Sequence, residues 1–232
     1  MDNFFILICA RAGSKGIKKK NLVKINGKSL VGHAVSLAKK ISKKNIMISS
    51  DSDEILNESL KYGANILLKR PKHLSKDNTG EIKVWKHALG YYEKKYKILP
   101  DYIISLPPTS PLRNLNDINK AIKKFKNFKY DVVLSGKKSE RSPYFNIVEF
   151  KGVYVQLIKK NKRIFRRQDT PTTYDLTTVC YIISTKYLKK TNYLLSGKIG
   201  LIEVPKHRAV DIDDKLDLLF ARTIIKKKRL HD

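Results

Sequence analysis

Apolar residues in the first half of the chain follow two alternating patterns. Short unbroken runs such as FFILIC are typical of strands buried on both faces, and apolar residues recurring every three or four positions are typical of helices with one buried face. The predicted strands are 4–9, 45–49, 64–68 and 101–106. The predicted helices are 30–41, 53–62 (capped by Ser52), 79–96 and 116–128. Strands separated by helices in this way predict right-handed βαβ units and a parallel sheet.

The pattern changes after residue 130. Short apolar stretches at 131–135, 145–150, 153–158 and 179–184 are separated by turns rich in glycine or lysine, which is typical of hairpins. This pattern predicts an antiparallel insertion at 136–170. A last strand at 200–204 precedes an amphipathic helix at 215–226. The whole pattern predicts one α/β domain spanning 1–232, with a doubly wound, mostly parallel sheet and a small antiparallel insertion.

Composition and charge narrow the class of protein only in part. Hydrophobic residues make up 41% of the 232 residues, which is enough for a sizeable core. Because no apolar run reaches the ~20 residues of a membrane helix and no signal-peptide pattern is present, we expect no membrane association. Cys9 and Cys180 lie in apolar, strand-like segments, which favours reduced, buried thiols and a cytoplasmic location.

The net charge of +28 raises the question of a polyanionic partner. Such a charge is typical of nucleic-acid-binding proteins. However, the lysines are spread along the chain and no nucleic-acid-binding motif is present, so we expect no specific nucleic-acid partner. A cationic surface would also attract a small polyanionic substrate such as a nucleoside triphosphate.

The segment ARAGSKGIKKKN (10–21) directly follows the first predicted strand. It matches neither GxxxxGK[ST] nor GxGxxG. Its small residues permit close backbone approach, Ser14 supplies a hydroxyl, and Arg11, Lys15 and Lys20 supply the positive charge that a triphosphate requires. The alternative is an exposed basic loop. Ligands of open α/β sheets bind beyond the carboxyl ends of strands, which favours phosphate binding here, and the segments 70–79, 107–113 and 211–213 also follow predicted strands.

Two aspartates near the end of the chain, Asp211 and Asp213, are candidate metal ligands. On an extended backbone residues i and i+2 face the same side, so both carboxylates can face one cation while Ile212 faces the core. Mg²⁺ shared with substrate phosphates suits this arrangement. The alternative is helix capping, which we favour for Asp214 and also for Asp51 and Asp53. The five histidines show no metal-ligand spacing.

Six segments, taken in order, resemble the acylneuraminate (CMP-sialic acid) cytidylyltransferase family. They are ARAGSKGIKKKN, SSDSDEI, RPKHLSKDNT, LPPTSPLR, RRQDTP and VDIDDKLDL, and they extend over nearly the whole chain. Enzymes of this family join CTP to a 2-keto sugar acid, release pyrophosphate, and usually act as homodimers with Mg²⁺. The resemblance therefore implies a Rossmann-like nucleotidyltransferase fold in which 136–170 is a dimerisation arm.

The resemblance also implies roles for individual residues. The nucleotide would be bound by Arg11, Ser14, Lys15, Lys20, Asn21, Arg70 and Thr79. The sugar acid would be bound by Ser110, Arg167 and Tyr181, with Arg167 reaching the partner subunit's site. Asp211 and Asp213 would hold Mg²⁺, and Arg11, Lys15, Lys20 and Asp211 would act in catalysis. No side chain is an obvious general base, which leaves Asp211 or a metal-bound hydroxide.

The departures from the family pattern concern the sugar-acid end. Pro107 stands where the family often has glutamine, Phe145 replaces a lysine of the arm, and TTVCY (177–181) replaces the more usual Asn-Gly-Ala-Ile-Tyr. The acceptor therefore stays open among acids related to sialic acid. One alternative is a nucleotidyltransferase of the same fold that acts on the eight-carbon acid Kdo or on a sugar 1-phosphate. A basic nucleic-acid-binding protein is the other.

Overall fold

The computed structural model describes residues 3–159 and 164–228. Residue 228 is described by its backbone only. Its strands are β1 (Phe4–Cys9), β2 (Lys24–Ile25), β3 (Lys28–Ser29), β4 (Ile46–Ser50), β5 (Ile66–Lys69), β6 (Tyr102–Ser105), β7 (Val132–Lys138), β8 (Val148–Lys151), β9 (Tyr154–Leu157), β10 (Tyr174–Ser184) and β11 (Ile199–Glu203). Its α-helices are α1 (Leu30–Ile41), α2 (Asp53–Leu60), α3 (Glu81–Tyr96), α4 (Leu115–Phe128), α5 (Thr185–Lys190) and α6 (Lys215–Lys228).

Seven strands form the central sheet, in the order β11-β7-β10-β6-β1-β4-β5. β10 runs antiparallel to both of its neighbours, whereas the other described pairings in this sheet are parallel. Alternate residues of β1 enter two different cores: Ile6 and Ile8 pack with α1, α2 and α4, while Phe5 and Leu7 pack with α3 and α5. Helices therefore cover both faces, and the predicted doubly wound, mostly parallel sheet is confirmed.

Short polar side chains cap α1, α2 and α4, and the sequence predicted this for Ser52 at α2. Ser29 and Ser52 accept hydrogen bonds from backbone N–H groups in the first turns of α1 and α2. Asn114 and Asp117 form a reciprocal capping box at α4. Asp117 is almost fully buried, and it receives two hydrogen bonds from the guanidinium of Arg208 at 2.9 and 3.0 Å. This ion pair ties α4 to the segment that leads to Asp211.

The insertion differs from its predicted bounds. β7 continues to Lys138 and β10 begins at Tyr174, so the segment that leaves the sheet is 139–173 instead of 136–170. It carries the hairpin β8–β9. The strand predicted at 145–150 begins at Val148, and the one predicted at 179–184 begins five residues earlier, with an irregular register between Thr177 and Tyr181.

Membrane-spanning helices were searched for in the described part of the chain. No helix there is both long and apolar enough to cross a bilayer.

His33 on α1 gives the protein a pH-dependent stability. Burial lowers the pKa of His33 from its usual 6.5, and its Nε2 lies 2.9 Å from the carbonyl of Ile25. Since the unfolded chain binds the proton more readily, unfolding becomes easier as the pH falls through 6.5. We expect His33→Gln, whose amide N–H can also donate to Ile25, to show a shallower loss of unfolding free energy between about pH 7 and pH 5. Urea melts across this range test it, and a slope equal to that of the parent protein would contradict it.

Candidate active site

A cavity of about 480 Å³ opens beside the end of β1. Its walls come from the segment after β1, the segment after β5, the first turns of α3, the turn after β6, and residues of β10 and the loop before α6. The lining residues used below are Arg11, Lys15, Gly16, Lys20, Asn21, Arg70, Asp77, Thr79, Glu81, Val84, Trp85, Pro107, Pro108, Thr109, Thr178 and Asp213. Three of the four segments predicted to follow strands meet here as continuous walls, and 211–213 contributes Asp213.

The loop after β1 is held in shape by its own polar groups. The hydroxyl of Ser14 donates to the carbonyl of Ile17 and accepts from the backbone N–H of Lys20 at 3.3 Å. The buried Asn21 donates through Nδ2 to the carbonyl of Arg11 at 2.9 Å. A Cβ atom on Gly16 would collide with the backbone carbonyl of Asp213. Glycine is therefore required where the loop and the aspartate segment come together.

The three predicted phosphate-binding cations all line the cavity, and each pairs with a carboxylate. Asp77 accepts from Arg11 and lies 3.3 Å from Nζ of Lys15. The hydrogen bonds from Arg11 and then Lys15 lower the pKa of Asp77. Nζ of Lys20 lies 2.9 Å from Oδ1 of Asp213, and the Lys20 side chain is only 14% exposed.

Two further predicted nucleotide-binding residues lie in the wall after β5. Arg70 is buried and donates to the hydroxyl and carbonyl of Ser49 at 3.1 and 2.6 Å, which fixes its guanidinium at the end of β4. Thr79 donates to the carbonyl of His73 at 3.2 Å, just before α3 begins. The structure therefore brings every predicted nucleotide-binding residue to this one cavity.

The two predicted metal ligands occupy different environments. Oδ1 of Asp211 is buried without a hydrogen-bond partner among the described residues, Ile212 faces the core, and Asp213 is exposed at the cavity. A buried carboxylate oxygen without a partner fits a cation ligand. No group of three or more His, Cys, Asp or Glu suited to a metal occurs within residues 3–159 and 164–228. Mg²⁺ commonly takes only one or two carboxylates together with substrate phosphates, so the pair fits it.

The neighbouring aspartates have other partners. Asp214 accepts from the backbone N–H groups of Leu216 and Asp217, as predicted for a helix cap. Asp51 accepts from the N–H of Ala12 at 2.8 Å, and Asp53 pairs with Lys69 at 2.6 Å while Ser52 caps α2. Capping is therefore the wrong prediction for both Asp51 and Asp53, because Ser52 caps α2, the loop after β1 lies within reach of Asp51, and Lys69 lies within reach of Asp53.

Glu81 is a cavity residue that the sequence analysis missed. It is the first residue of α3, and it interacts electrostatically with Cys9, Arg70, Tyr181 and Asp211, which come from four other segments. Glu81 is exposed at the cavity, but the surrounding protein partly desolvates its carboxylate and so raises its pKa; the negative charge of Asp211 raises that pKa further, and Arg70 opposes both. Burial and then the charges of Glu81 and Asp211 also raise the pKa of Tyr181, whose ring packs against Trp85 at 5.5 Å between centroids. Glu81, Asp211 and Tyr181 therefore interact electrostatically at this end of the cavity.

The turn after β6 is organised by Arg113. This buried guanidinium donates to the carbonyls of Pro107, Ser110 and Val179, the last two at 2.7 Å. Burial lowers the pKa of Arg113 to about 10. The Ser110 hydroxyl is fully buried and lies 2.6 Å from that of Thr178, so it supports the turn from behind and does not line the cavity.

Arg167 lies outside this cavity. It lines a second one of about 300 Å³ at the base of the insertion, with Lys138 and Arg141 among its neighbours. Within one chain the structure therefore does not bring Arg167 to the nucleotide-binding residues.

A doubly wound sheet with a cationic loop after its first strand and an aspartate pair beside that loop defines a nucleotide-binding enzyme of the α/β class. The profile of the family described as cytidylyltransferase matches residues 5–212. The chain belongs to the cytidylyltransferase family, whose members are CTP-dependent nucleotidyltransferases, as the sequence resemblance predicts.

Two relatives match this chain over nearly its whole length and over nearly their own. The chain is 34% identical over 231 residues to post-translational flagellin modification protein B of Campylobacter coli, covering 99% of this chain and 98% of the relative. Identity and coverage are the same for the CMP-N,N'-diacetyllegionaminic acid synthase of Campylobacter jejuni. The fold is similar to that of a CMP:2-keto-3-deoxy-manno-octonic acid synthetase complexed with CTP, with a TM-score of 0.70, 14% identity, and coverage of 98% of this chain and 100% of the other.

Proposed function

We propose that the enzyme transfers CMP from CTP to the anomeric hydroxyl of a 2-keto nonulosonic acid, the class that includes sialic, legionaminic and pseudaminic acids. The observation that carries the proposal is the contact between the phosphate loop and the aspartate pair, made by the Lys20–Asp213 ion pair and by Gly16. This contact puts phosphate-binding cations and carboxylates at one place. The relatives named above support the acceptor class.

In the reaction the anomeric oxygen bonds to the α-phosphorus of CTP, and the bond from that phosphorus to the bridging oxygen of the β-phosphate breaks. Pyrophosphate leaves with the electron pair, and the hydroxyl proton passes to a base, for which Asp211 is the candidate. Arg11, Lys15 and Lys20 hold the triphosphate, since fixed cations stabilise the charge of the transferring group. Ser14 and Asn21 hold the loop, and Asn21, Arg70 and Thr79 contact the nucleoside.

Asp211 and Asp213 would hold Mg²⁺ together with the substrate phosphates. The ion would neutralise charge on the phosphoryl oxygens and orient the leaving pyrophosphate. Oδ1 of Asp211, which has no hydrogen-bond partner among the described residues, and its electrostatic interaction with Glu81 support this assignment.

Lys15 provides the first test of the phosphate loop. Its side chain is 82% exposed at the cavity, so its replacement leaves the core intact. We expect Lys15→Ala to raise the KM for CTP and to lower kcat, with a combined loss of about 10- to 100-fold in kcat/KM, because the cation acts in both the ground and the transition state. Lys18→Ala, an exposed lysine of the same loop that does not line the cavity, is the matched control. Equal kinetics for the two variants would refute the assignment.

We also propose that the enzyme is a homodimer in which the insertion is the arm that contacts the partner. The arm exposes large apolar side chains, with Phe150, Val153 and Tyr154 between 77% and 87% exposed. Such a patch is typical of a protein interface. If the arm packs against the partner subunit, it would bring Arg167 towards the acid-binding end of the partner's cavity. Tyr181 would bind the acid in the cavity of its own chain. Sedimentation equilibrium at micromolar concentration tests the dimer.

Pyrophosphate release from Mg-CTP with a panel of 2-keto acids tests the function. The panel contains N-acetylneuraminic, N,N'-diacetyllegionaminic, pseudaminic and Kdn acids, with Kdo and a sugar 1-phosphate as the rival acceptors. Turnover confined to the nonulosonic acids is expected. Turnover confined to Kdo or the sugar 1-phosphate, or strict preference for UTP or GTP, would overturn the proposal. We place the reaction in the cytoplasm because CTP is a cytoplasmic metabolite.

A further inference from the structure

Asp211 lies on a segment with little regular structure. β11 ends at Glu203, α6 begins at Lys215, and between them the backbone forms only the single 3₁₀ turn Lys206–Arg208. Oδ1 of Asp211 has no hydrogen-bond partner among the described residues, so no contact of that oxygen orients it. A functional side chain on a loop is held in place by the contacts of the residues around it. The position of Asp211 therefore depends on its neighbours in the chain.

The residues after Asp211 are fixed by the walls of the cavity. The backbone N–H of Ile212 donates to the carbonyl of Thr109 at 2.9 Å, and the side chain of Ile212 is fully buried. The carbonyl of Asp213 lies against Gly16, where a Cβ atom would collide with it. This side of Asp211 is thus attached to the turn after β6 and to the phosphate loop.

The residue that fixes the other side of Asp211 is Arg208. Its Nε and Nη2 donate to Oδ2 and Oδ1 of Asp117 at 3.0 and 2.9 Å. Asp117 is almost fully buried, and its Oδ2 also accepts from the backbone N–H of Asn114 at 3.1 Å. A guanidinium bound through two hydrogen bonds to one carboxylate has a fixed orientation as well as a fixed position. The pair therefore anchors the chain just before Asp211 to the start of α4.

Stabilisation of the fold is a poor explanation for this ion pair. The cost of removing two charges from water offsets much of their attraction, so a buried pair often stabilises a protein no more than apolar residues of similar size would. α4 is already held by its capping box and by Ile118 and Ala121, which are both fully buried in the core. An apolar pair could not, however, supply the fixed direction that two hydrogen bonds give to Arg208.

We propose that Arg208 is a positioning residue, which through Asp117 holds the segment before Asp211 so that the Asp211 carboxylate stays in place beside the cavity. The proposal rests on the proposed function, in which Asp211 is the candidate base and a ligand of Mg²⁺, and it names the contact that keeps this carboxylate in position. Arg208 does not itself line the cavity, so it acts only through Asp211.

Arg208→Met and Arg208→Lys measure what the two hydrogen bonds contribute. Pyrophosphate release is followed with the acid that the parent protein turns over fastest. We expect Arg208→Met to lower kcat by about 30- to 100-fold and to change the KM for CTP by less than about 2-fold, because displacement of a reacting group affects the rate more than binding. Lysine keeps the charge but offers a single point of attachment, so Arg208→Lys should recover about 5- to 10-fold of the lost rate.

Hydrogen–deuterium exchange, measured by NMR, follows the position of the segment without any turnover. The backbone N–H of Ile212 should exchange at least about 10-fold faster in Arg208→Met than in the parent protein, because its protection depends on the anchored segment. Amides of α1 serve as the internal reference. Lys206→Met is the matched control, since Lys206 belongs to the same 3₁₀ turn, is exposed, and pairs with Glu140 instead. It should leave both kcat and the exchange rate unchanged.

A double variant separates positioning from stabilisation. Asp117→Asn combined with Arg208→Met leaves neither member of the pair charged, and asparagine can still accept from the N–H of Asn114. Its urea midpoint should lie closer to that of the parent protein than the midpoint of Arg208→Met does, whereas its kcat should stay low. Recovery of kcat together with stability would show that the pair is only structural and would overturn the proposal.

The remaining outcomes separate the proposal from the proposed function. Parental kcat and parental exchange in folded Arg208→Met overturn the proposal and leave the proposed function in place. Arg208→Lys and the double variant make the same comparison should Arg208→Met fail to fold. No pyrophosphate release by the parent protein with any acid of the panel overturns the proposed function, and the proposal with it.

Discussion

Asp211→Asn should lower kcat by about 1,000-fold while CTP still binds with nearly unchanged affinity. The amide has the same shape as the carboxylate but lacks the charge that a hard cation needs, so the loss falls on the transition state more than on nucleotide docking. Single-turnover kinetics and equilibrium CTP binding, each with Mg²⁺ present, measure the two effects separately.

The neighbouring Asp214 gives a matched control. Its Oδ1 accepts from two backbone N–H groups at the start of α6, and asparagine is an equally good cap. Asp214→Asn should therefore keep near-normal kcat and stability. If Asp211→Asn were as active as Asp214→Asn, Asp211 would be neither a metal ligand nor a base.

Arg113→Met should lower the free energy of unfolding by about 3–5 kcal/mol. The methionine fills much of the space but leaves the carbonyls of Pro107, Ser110 and Val179 buried without their donor. Urea unfolding measures the loss. The KM for the acceptor should rise too, because the guanidinium shapes the turn that lines the cavity with Pro107, Pro108 and Thr109.

Arg222→Met is the control for this prediction. Arg222 is exposed on α6, and within the described part of the chain it donates one hydrogen bond, of 3.3 Å, to the carbonyl of Lys24. Its replacement should change the unfolding free energy by less than about 0.5 kcal/mol. A loss below about 1 kcal/mol for Arg113→Met would mean that the turn keeps its shape without the guanidinium.

The sequence predicted the central fold well because burial imposes a regular pattern there. α1 has its predicted bounds, and β1, which is buried on both faces, reads as an unbroken apolar run. The strand predicted at 145–150 was misplaced because β8 is exposed along its length, so no buried face sets a period, whereas β9 lies within its predicted bounds. The beginning of β10 was missed for the same reason, since Tyr174, Asp175 and Leu176 are all exposed.

The cavity could be predicted only where its residues lie together in the sequence. The loop after β1 carries small, polar and cationic residues in one stretch, and its predicted members do line the cavity. Glu81 was missed because the charged groups that act on it, Arg70 and Asp211, come from other segments of the sequence. The sequence placed Arg113 only within the segment 107–113 that follows a predicted strand, because its carbonyl partners include Val179, which is distant in sequence.

The ion pairs of the phosphate loop have a consequence for selectivity among anions. Arg11 and Lys15 share Asp77, and Lys20 holds Asp213, so each cation has a carboxylate with which a phosphate must compete. A phosphate that binds to these cations must therefore displace the carboxylates of Asp77 and Asp213. A polyphosphate alone gains less binding free energy than the lysine content of the protein suggests. If Asp213 holds Mg²⁺ and Arg70 contacts the base, as proposed, Mg-CTP would regain through those contacts the free energy that the exchange costs. The protein can therefore be strongly basic overall and still discriminate against most of the polyanions around it.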